Sequence, residues 1–129
     1  MSSSTIPIPP LLPGDLEVSA FQVTRPKVIK GAVTQTISNY STVTLNAASG
    51  TITMTPSTIT ADNSVDFEFI NSYIGIGSTL LVSIQNYSGT TGLPNIGLFG
   101  TFDGGAVINL QNSGTTSLNG SVTVSFLVV

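Results

Sequence analysis

The stretch Val65-Asp66-Phe67-Glu68-Phe69 alternates apolar and acidic side chains over five consecutive residues. Successive side chains of an extended chain point to opposite faces, so this alternation predicts a strand with one buried and one solvated face. We therefore expect the three apolar side chains in a core and the two carboxylates in water.

The same period of two recurs along most of the chain. Further strands are predicted at residues 18–23, 42–45, 50–54, 78–85, 96–102, 106–111 and 121–129. Clusters of Gly, Asn, Asp and Ser separate these runs, and such residues favour tight turns. No segment sustains the 3.6-residue period of a helix. The sequence therefore predicts an all-β fold: a single antiparallel β-sandwich or jelly-roll-like domain.

The run at residues 121–129 is apolar on both faces towards its end, where it reads Phe-Leu-Val-Val. A strand of this kind is expected to be central in its sheet, or covered, rather than frayed.

The composition is unusually poor in charge. Charged residues make up 7% of the 129 residues, against roughly 25% in a typical soluble protein. The polar surface must therefore consist mainly of hydroxyls and amides, supplied by 35 serine and threonine residues. Because net charge keeps protein surfaces apart, such a chain is expected to hide part of its surface in an assembly.

Residues 1–17 form a proline-rich segment that we predict to be an extended arm, and residues 18–129 are assigned to the sandwich domain. Residues 18–32 are interpreted as a basic connecting segment and first strand. The residues predicted to bind a partner are Ile6, Pro7, Ile8, Pro9, Pro10, Leu11, Leu12, Arg25, Lys27 and Lys30. For the three cations, a solvated linker is the alternative interpretation. Prolines interrupt the apolar run and the first positive charge is Arg25, which argues against a secretion signal.

Several classes of partner and chemistry are disfavoured by what the chain lacks. Three Lys and Arg residues are too few for a nucleic-acid footprint, and no apolar run reaches the length of a membrane helix. Cys and His are absent, so thiolate and imidazole chemistry is excluded. We expect no cofactor, no metal and no enzymatic activity.

Three small groups of side chains could support catalysis or ligand binding. Asp66 and Glu68 have a spacing that a glycosidase could use, but a solvated strand face is the simpler interpretation. The Asp62-Asn63 pair with Asp66, and Asp103 with its glycines, could supply calcium ligands, but turn formation explains them more simply. The aromatic residues could stack on a sugar, although core phenylalanines and strand-capping tyrosines are the expectation; these residues are Tyr73, Tyr87, Phe99 and Phe102.

The second half of the chain contains five short sequence motifs that carry a resemblance to known proteins. It contains Phe69-Ile-Asn71, Leu80-Leu-Val-Ser-Ile-Gln-Asn-Tyr-Ser-Gly-Thr-Thr-Gly-Leu-Pro94, Ile108-Asn-Leu-Gln-Asn112, Gly114-Thr-Thr-Ser-Leu-Asn-Gly120 and Val124-Ser-Phe-Leu-Val-Val129. Over roughly residues 64–129 the sequence resembles small β-rich virion proteins of tailed bacteriophages, notably those of cyanobacterial and other aquatic phages. The resemblance implies a β-sandwich that serves as capsid decoration (cement), head fibre or tail part, often as a trimer.

From the resemblance and the arm together, we expect a homotrimeric decoration protein located in the virion, with the major capsid protein or another virion protein as partner. An extended segment of 17 residues reaches about 50 Å, whereas a sandwich of this size is roughly 35 Å across. The alternative is a receptor- or glycan-binding module of a head or tail fibre. That module would place Tyr73, Tyr87 and residues 88–95 at one exposed tip.

The apolar run at residues 121–129 generates a first prediction. A bulky tag after Val129 is expected to reduce soluble yield more than the same tag before Met1, because it would crowd a strand that we expect to be central. Expression of both tagged forms with one cleavable domain checks this, and equal yields of folded protein would contradict it.

Overall fold

The computed structural model describes residues 30–129, which form eight strands and no helix. The strands are β1 Lys30–Thr34, β2 Val43–Thr44, β3 Ser49–Thr53, β4 Ser64–Ile70, β5 Leu80–Tyr87, β6 Pro94–Phe102, β7 Gly105–Asn112 and β8 Val122–Val128. Within this part of the chain no helix is long and apolar enough to cross a membrane.

The strands form two four-stranded sheets that pack face to face. Sheet A has the order β1-β3-β8-β5, and sheet B has the order β2-β4-β7-β6. The predicted all-β sandwich is therefore confirmed. The predicted arm at residues 1–17 and the strand at residues 18–23 lie outside the described residues.

The pairing is mixed rather than antiparallel throughout. Four neighbouring pairs are antiparallel, but β1 runs parallel to β3 and β2 runs parallel to β4. The reason is the path of the chain, which alternates between the sheets from β1 to β4. When the chain leaves a sheet, forms one strand in the other sheet and comes back, its next strand in the first sheet runs parallel to the one before the crossing.

The alternating runs correspond to strands β2 to β8, with ends that differ by at most two residues. Strand β1, Lys30–Thr34, was not among the predicted strands; its first three residues fall within the predicted connecting segment, residues 18–32. Its sequence, Lys-Gly-Ala-Val-Thr, has weak alternation because Gly31 carries no side chain. A Cβ on Gly31 would come within 2.8 Å of Leu45 Cδ1, so a larger residue there would require the Leu45 side chain to shift.

The core lies between the inner faces of the two sheets. Sheet B contributes Phe67 and Phe69, and sheet A contributes Val124 and Phe126, all nearly inaccessible to solvent. Across the interface the rings of Phe69 and Phe126 meet edge to face, with centroids 4.8 Å apart and planes at 65°. The alternation at residues 65–69 is confirmed, because Asp66 and Glu68 are exposed on the outer face of β4.

Strand β8 is central in sheet A, as its sequence predicted. It pairs with β3 on one side and with β5 on the other. Only its inner face is covered, however: Phe126 is 4% exposed and its neighbour Leu127 is 43% exposed. The outer face of this strand thus leaves apolar side chains in contact with solvent.

Two buried asparagines tie the loops to the ends of sheet B. Asn71 follows β4, and its amide group donates to the carbonyl of Ala47 (2.7 Å) and accepts from the Ala47 backbone N–H (3.2 Å). Asn112 ends β7; its Nδ2 donates to the carbonyls of Ile59 and Thr116, and its Oδ1 accepts from the N–H groups of Leu93 and Gly114. Each side-chain amide therefore makes hydrogen bonds to backbone groups of the neighbouring loops.

The role of Asn112 can be tested against a residue in a matching context. The dipeptide Gln-Asn occurs at Gln85-Asn86, where the asparagine is exposed, and at Gln111-Asn112, where it is buried. Replacing Asn112 by Ala should lower the free energy of unfolding by roughly 2–4 kcal/mol, because buried loop donors and acceptors lose their partners. Asn86→Ala should change it by less than about 0.5 kcal/mol. Urea unfolding followed by circular dichroism measures both, and equal losses would contradict this assignment.

Candidate functional site

Of the ten residues predicted to bind a partner, Lys30 lies in the described part of the chain. The other nine lie outside the described residues; they are Ile6, Pro7, Ile8, Pro9, Pro10, Leu11, Leu12, Arg25 and Lys27. Lys30 is exposed at the start of β1, an edge strand of sheet A. It is the sole basic side chain within residues 30–129. The described part of the chain therefore begins at one corner of sheet A.

The outer face of sheet A is almost free of charge. One row across it reads Lys30, Ser49, Leu127, Leu81, and the next reads Ala32, Thr51, Ser125, Ser83. In this pair of rows only Lys30 is ionised at neutral pH. The face thus presents small hydroxyl and methyl groups, which cost far less to remove from water than charges do.

The space between β5 and β8 on this face is a shallow groove of about 190 Å³. It is lined by Leu81, Val82, Ser83, Ser125, Phe126 and Leu127. The two leucines lie opposite each other and are 52% and 43% exposed. Two serines, also opposite each other, continue the groove along the strands. We call this feature the sheet A groove.

The outer face of sheet B differs in charge from that of sheet A. Asp66 and Glu68 project from β4, and Asn109 of β7 donates a hydrogen bond from Nδ2 to Asp66 Oδ1 at 2.7 Å. Both carboxylates lie on an open face, which confirms that they form a solvated strand face. Within residues 30–129 no three His, Cys, Asp or Glu side chains come together as metal ligands would.

The acidic turn residues are placed as turn chemistry predicts. Asp62 adopts a left-handed conformation with φ of 64° in the turn before β4. Asp103 and Gly104 connect β6 to β7, and Gly104 has φ of 95°. The turn interpretation of these residues is therefore confirmed.

Phe99 and Phe102 were expected in the core, and that expectation is wrong. Phe99 is 69% exposed and Phe102 is 38% exposed. For Phe102 the cause is a bulge between Leu98 and Gly100, which places one additional residue in β6 and reverses the alternation beyond it, whereas Phe99 is the additional residue itself and follows the inward-facing Leu98. Without the bulge, Phe102 would point inward with Leu98. With it, Phe102 lies opposite Gly105 on the outer face.

The ring of Phe102 lies directly over Gly105. A Cβ on Gly105 would come within 2.6 Å of the ring atom Cζ, so the glycine makes room for the ring against the sheet. Phe102 and the bulge residue Phe99 are therefore both exposed along β6, and we call these two rings the Phe99–Phe102 patch. No signal in the sequence other than the two glycines of β6, Gly97 and Gly100, indicated it.

The tyrosines proposed for a recognition tip are not brought together. Tyr87 ends β5, whereas Tyr73 lies in the loop that precedes that strand. The eight residues of β5 separate the two ends of the sandwich by about 26 Å. The Tyr87 hydroxyl donates to the Thr91 carbonyl at 2.6 Å and accepts from the Asn119 N–H at 2.8 Å. Strand capping is therefore confirmed for Tyr87.

Comparison with known proteins gives no relative for this chain: no family model, no curated protein and no solved structure matches it. The virion resemblance, and the roles that follow from it, stay predictions.

Proposed function

We propose that this chain is a decoration (cement) protein of a tailed-phage capsid, located in the virion and acting as a homotrimer that bridges neighbouring capsid subunits. The observation that carries the proposal is the outer face of sheet A, which is exposed and nearly uncharged and lies beside the point where the arm joins. The partner is the major capsid protein or another virion protein. The proposed role is structural and involves no enzymatic step.

The chemistry of sheet A suits a permanent protein interface. Hydroxyls at Ser83, Ser125 and Thr51 can exchange water for protein partners at little cost, and Leu81 and Leu127 add apolar area. A surface rich in charge would lose its hydration on docking, with a penalty of several kcal/mol for each ion left unpaired. The scarcity of charge therefore favours a face that is covered in an assembly.

The arm supplies the reach that bridging needs. Fully extended, residues 1–17 cover about 50 Å, more than the roughly 35 Å diameter of the domain. Each fully buried Ile or Leu contributes about 1.5–3 kcal/mol, and proline lowers the entropy lost on docking because its φ is already fixed. Ile6, Ile8, Leu11 and Leu12 together could anchor the domain to a neighbour.

Attachment to the particle tests this function. Deletion of residues 2–14 should leave the sandwich folded but reduce its occupancy on capsids of the parent phage assembled without this protein. Occupancy is measured by co-sedimentation and gel densitometry. Unchanged occupancy would remove the arm from the mechanism.

Two variants separate the contributions of the arm. In the first, Ile6, Ile8, Leu11 and Leu12 become Ser while the prolines stay; in the second, Pro7, Pro9 and Pro10 become Ala while the apolar residues stay. If burial of apolar area dominates, the first variant should lose most of its occupancy. The second should lose about tenfold or less in affinity, because it changes only the entropy of ordering.

A recognition module of a head or tail fibre is the second candidate, and the Phe99–Phe102 patch favours it. Exposed aromatic rings beside amide and carboxylate groups are suited to contacts with sugars or with another protein. Copy number on purified particles discriminates the two functions. Hundreds of copies over the head support cement, and a few copies at the tail support recognition.

The same patch provides a variant test of the second candidate. Replacing Phe99 and Phe102 by Ser should abolish adsorption of phage to host cells if the patch recognises a receptor. Tyr40→Ser, which changes another exposed aromatic residue outside the patch, is the matched control. Normal adsorption by the Phe double variant would exclude the patch from recognition.

A further inference from the structure

We propose that in the free protein the sheet A groove is occupied by residues 6–12 of the same chain, so that the arm is stored on its own domain until it docks elsewhere. This inference concerns the protein in solution and goes beyond capsid attachment. It follows from the size of the groove, its place in the sheet, and the chemistry of the segment.

The groove has the size and lining for side chains rather than for a small-molecule ligand. Its volume of about 190 Å³ is below the range of roughly 300–1,000 Å³ that is usual for ligand pockets. Its walls are Leu81 and Leu127, and its continuation is Ser83 and Ser125. No ionised group lines it. An uncharged apolar segment is therefore the matching occupant.

The chain enters sheet A in the same row of residues that holds the groove. Lys30 pairs with Ser49, Ser49 with Leu127, and Leu127 with Leu81. Three strand spacings separate Lys30 from Leu81, a distance of about 14 Å. Residues 13–29 connect the segment to this row, and 17 residues can span up to about 56 Å. The tether is therefore long enough without being stretched.

The composition of the segment favours binding on the face of the sheet rather than pairing with its edge strand. Residues 6–12 read Ile-Pro-Ile-Pro-Pro-Leu-Leu and carry no charge. Prolines cannot donate the hydrogen bonds that an added edge strand needs. On the face, contact is made by side chains, and the hydroxyls of Ser83 and Ser125 can donate to carbonyls of the segment.

The occupant is assigned to the same chain because of effective concentration. A covalent tether of 17 residues holds the segment near the groove at an effective concentration of roughly millimolar, far above that of a purified protein. Storage also covers two apolar surfaces of a chain that has little charge to prevent association. Binding to a capsid would then require the arm to leave the groove.

Cysteine pairs provide the test, because the natural chain contains no cysteine. The variant Ile8→Cys/Ser83→Cys places one thiol in the segment and one in the groove. Its matched control, Ile8→Cys/Gln111→Cys, places the second thiol at an exposed position on the outer face of sheet B. Both are oxidised mildly at micromolar concentration, without capsids, and resolved on denaturing gels without reductant.

We expect a disulfide within single chains of the Ser83 variant to form about tenfold faster or more than in the control. Adding Leu81→Ser and Leu127→Ser should return the rate to that of the control, while circular dichroism shows the fold unchanged. Equal rates in the first two variants would overturn the proposal. So would disulfides that join separate chains, since the occupant would then be the arm of a second copy.

This result is independent of the capsid experiment. Capsid attachment that fails while the intrachain disulfide forms would overturn the proposed function alone. Capsid attachment that succeeds while no intrachain disulfide forms would overturn the proposed storage of the arm and leave the proposed function in place.

Discussion

The contact between Phe69 and Phe126 joins the two sheets, and the rest of the structure depends on the apolar layer to which it belongs. The chain has no cysteine, and its described part has no helix, so cohesion comes from this layer and from the strand ladders. The edge-to-face geometry adds about 0.5–1.5 kcal/mol to the area that the rings bury. With the inner faces devoted to packing, the outer faces and the loops are left to carry any function.

The two outer faces have different chemistry, so the two sides of the domain are suited to different contacts. Sheet A presents hydroxyl and methyl groups with a leucine-walled groove, and the described chain begins on this sheet at Lys30. Sheet B presents Asp66, Glu68 and the Phe99–Phe102 patch. A domain with one neutral face and one acidic, aromatic face can bind a particle with the first and present the second to the surroundings. Both proposed functions use this arrangement, and they differ in which face carries the essential contact.

Most of the fold could be predicted from the sequence, because a period of two specifies a strand and one buried face regardless of its neighbours. Strand direction could not, since alternation at residues 42–45 is the same whether β2 runs parallel or antiparallel to β4. Phe102 was misplaced because a single bulge residue reverses the alternation, and a bulge has little signature of its own. Nothing in the local sequence indicated that Asn112 is buried, because its burial depends on three loops that meet there. The sheet A groove depends on which strands are neighbours, and local patterns do not contain that information.

The central position of β8 also has a consequence for how the protein folds. In sheet A, strands β3 and β5 each pair with β8 and not with each other, and the pairing of Ser49 with Leu127 closes a loop of 78 residues. Contacts so distant in sequence are slow to form, because the chain entropy of closing the loop is lost before the contacts compensate for it. Sheet A therefore cannot be completed until residues 122–128 have been synthesised. Until then the strands that precede β8 expose edges and apolar faces that can pair with other chains. Assembly and misassembly thus compete for the same surfaces during the first moments after synthesis.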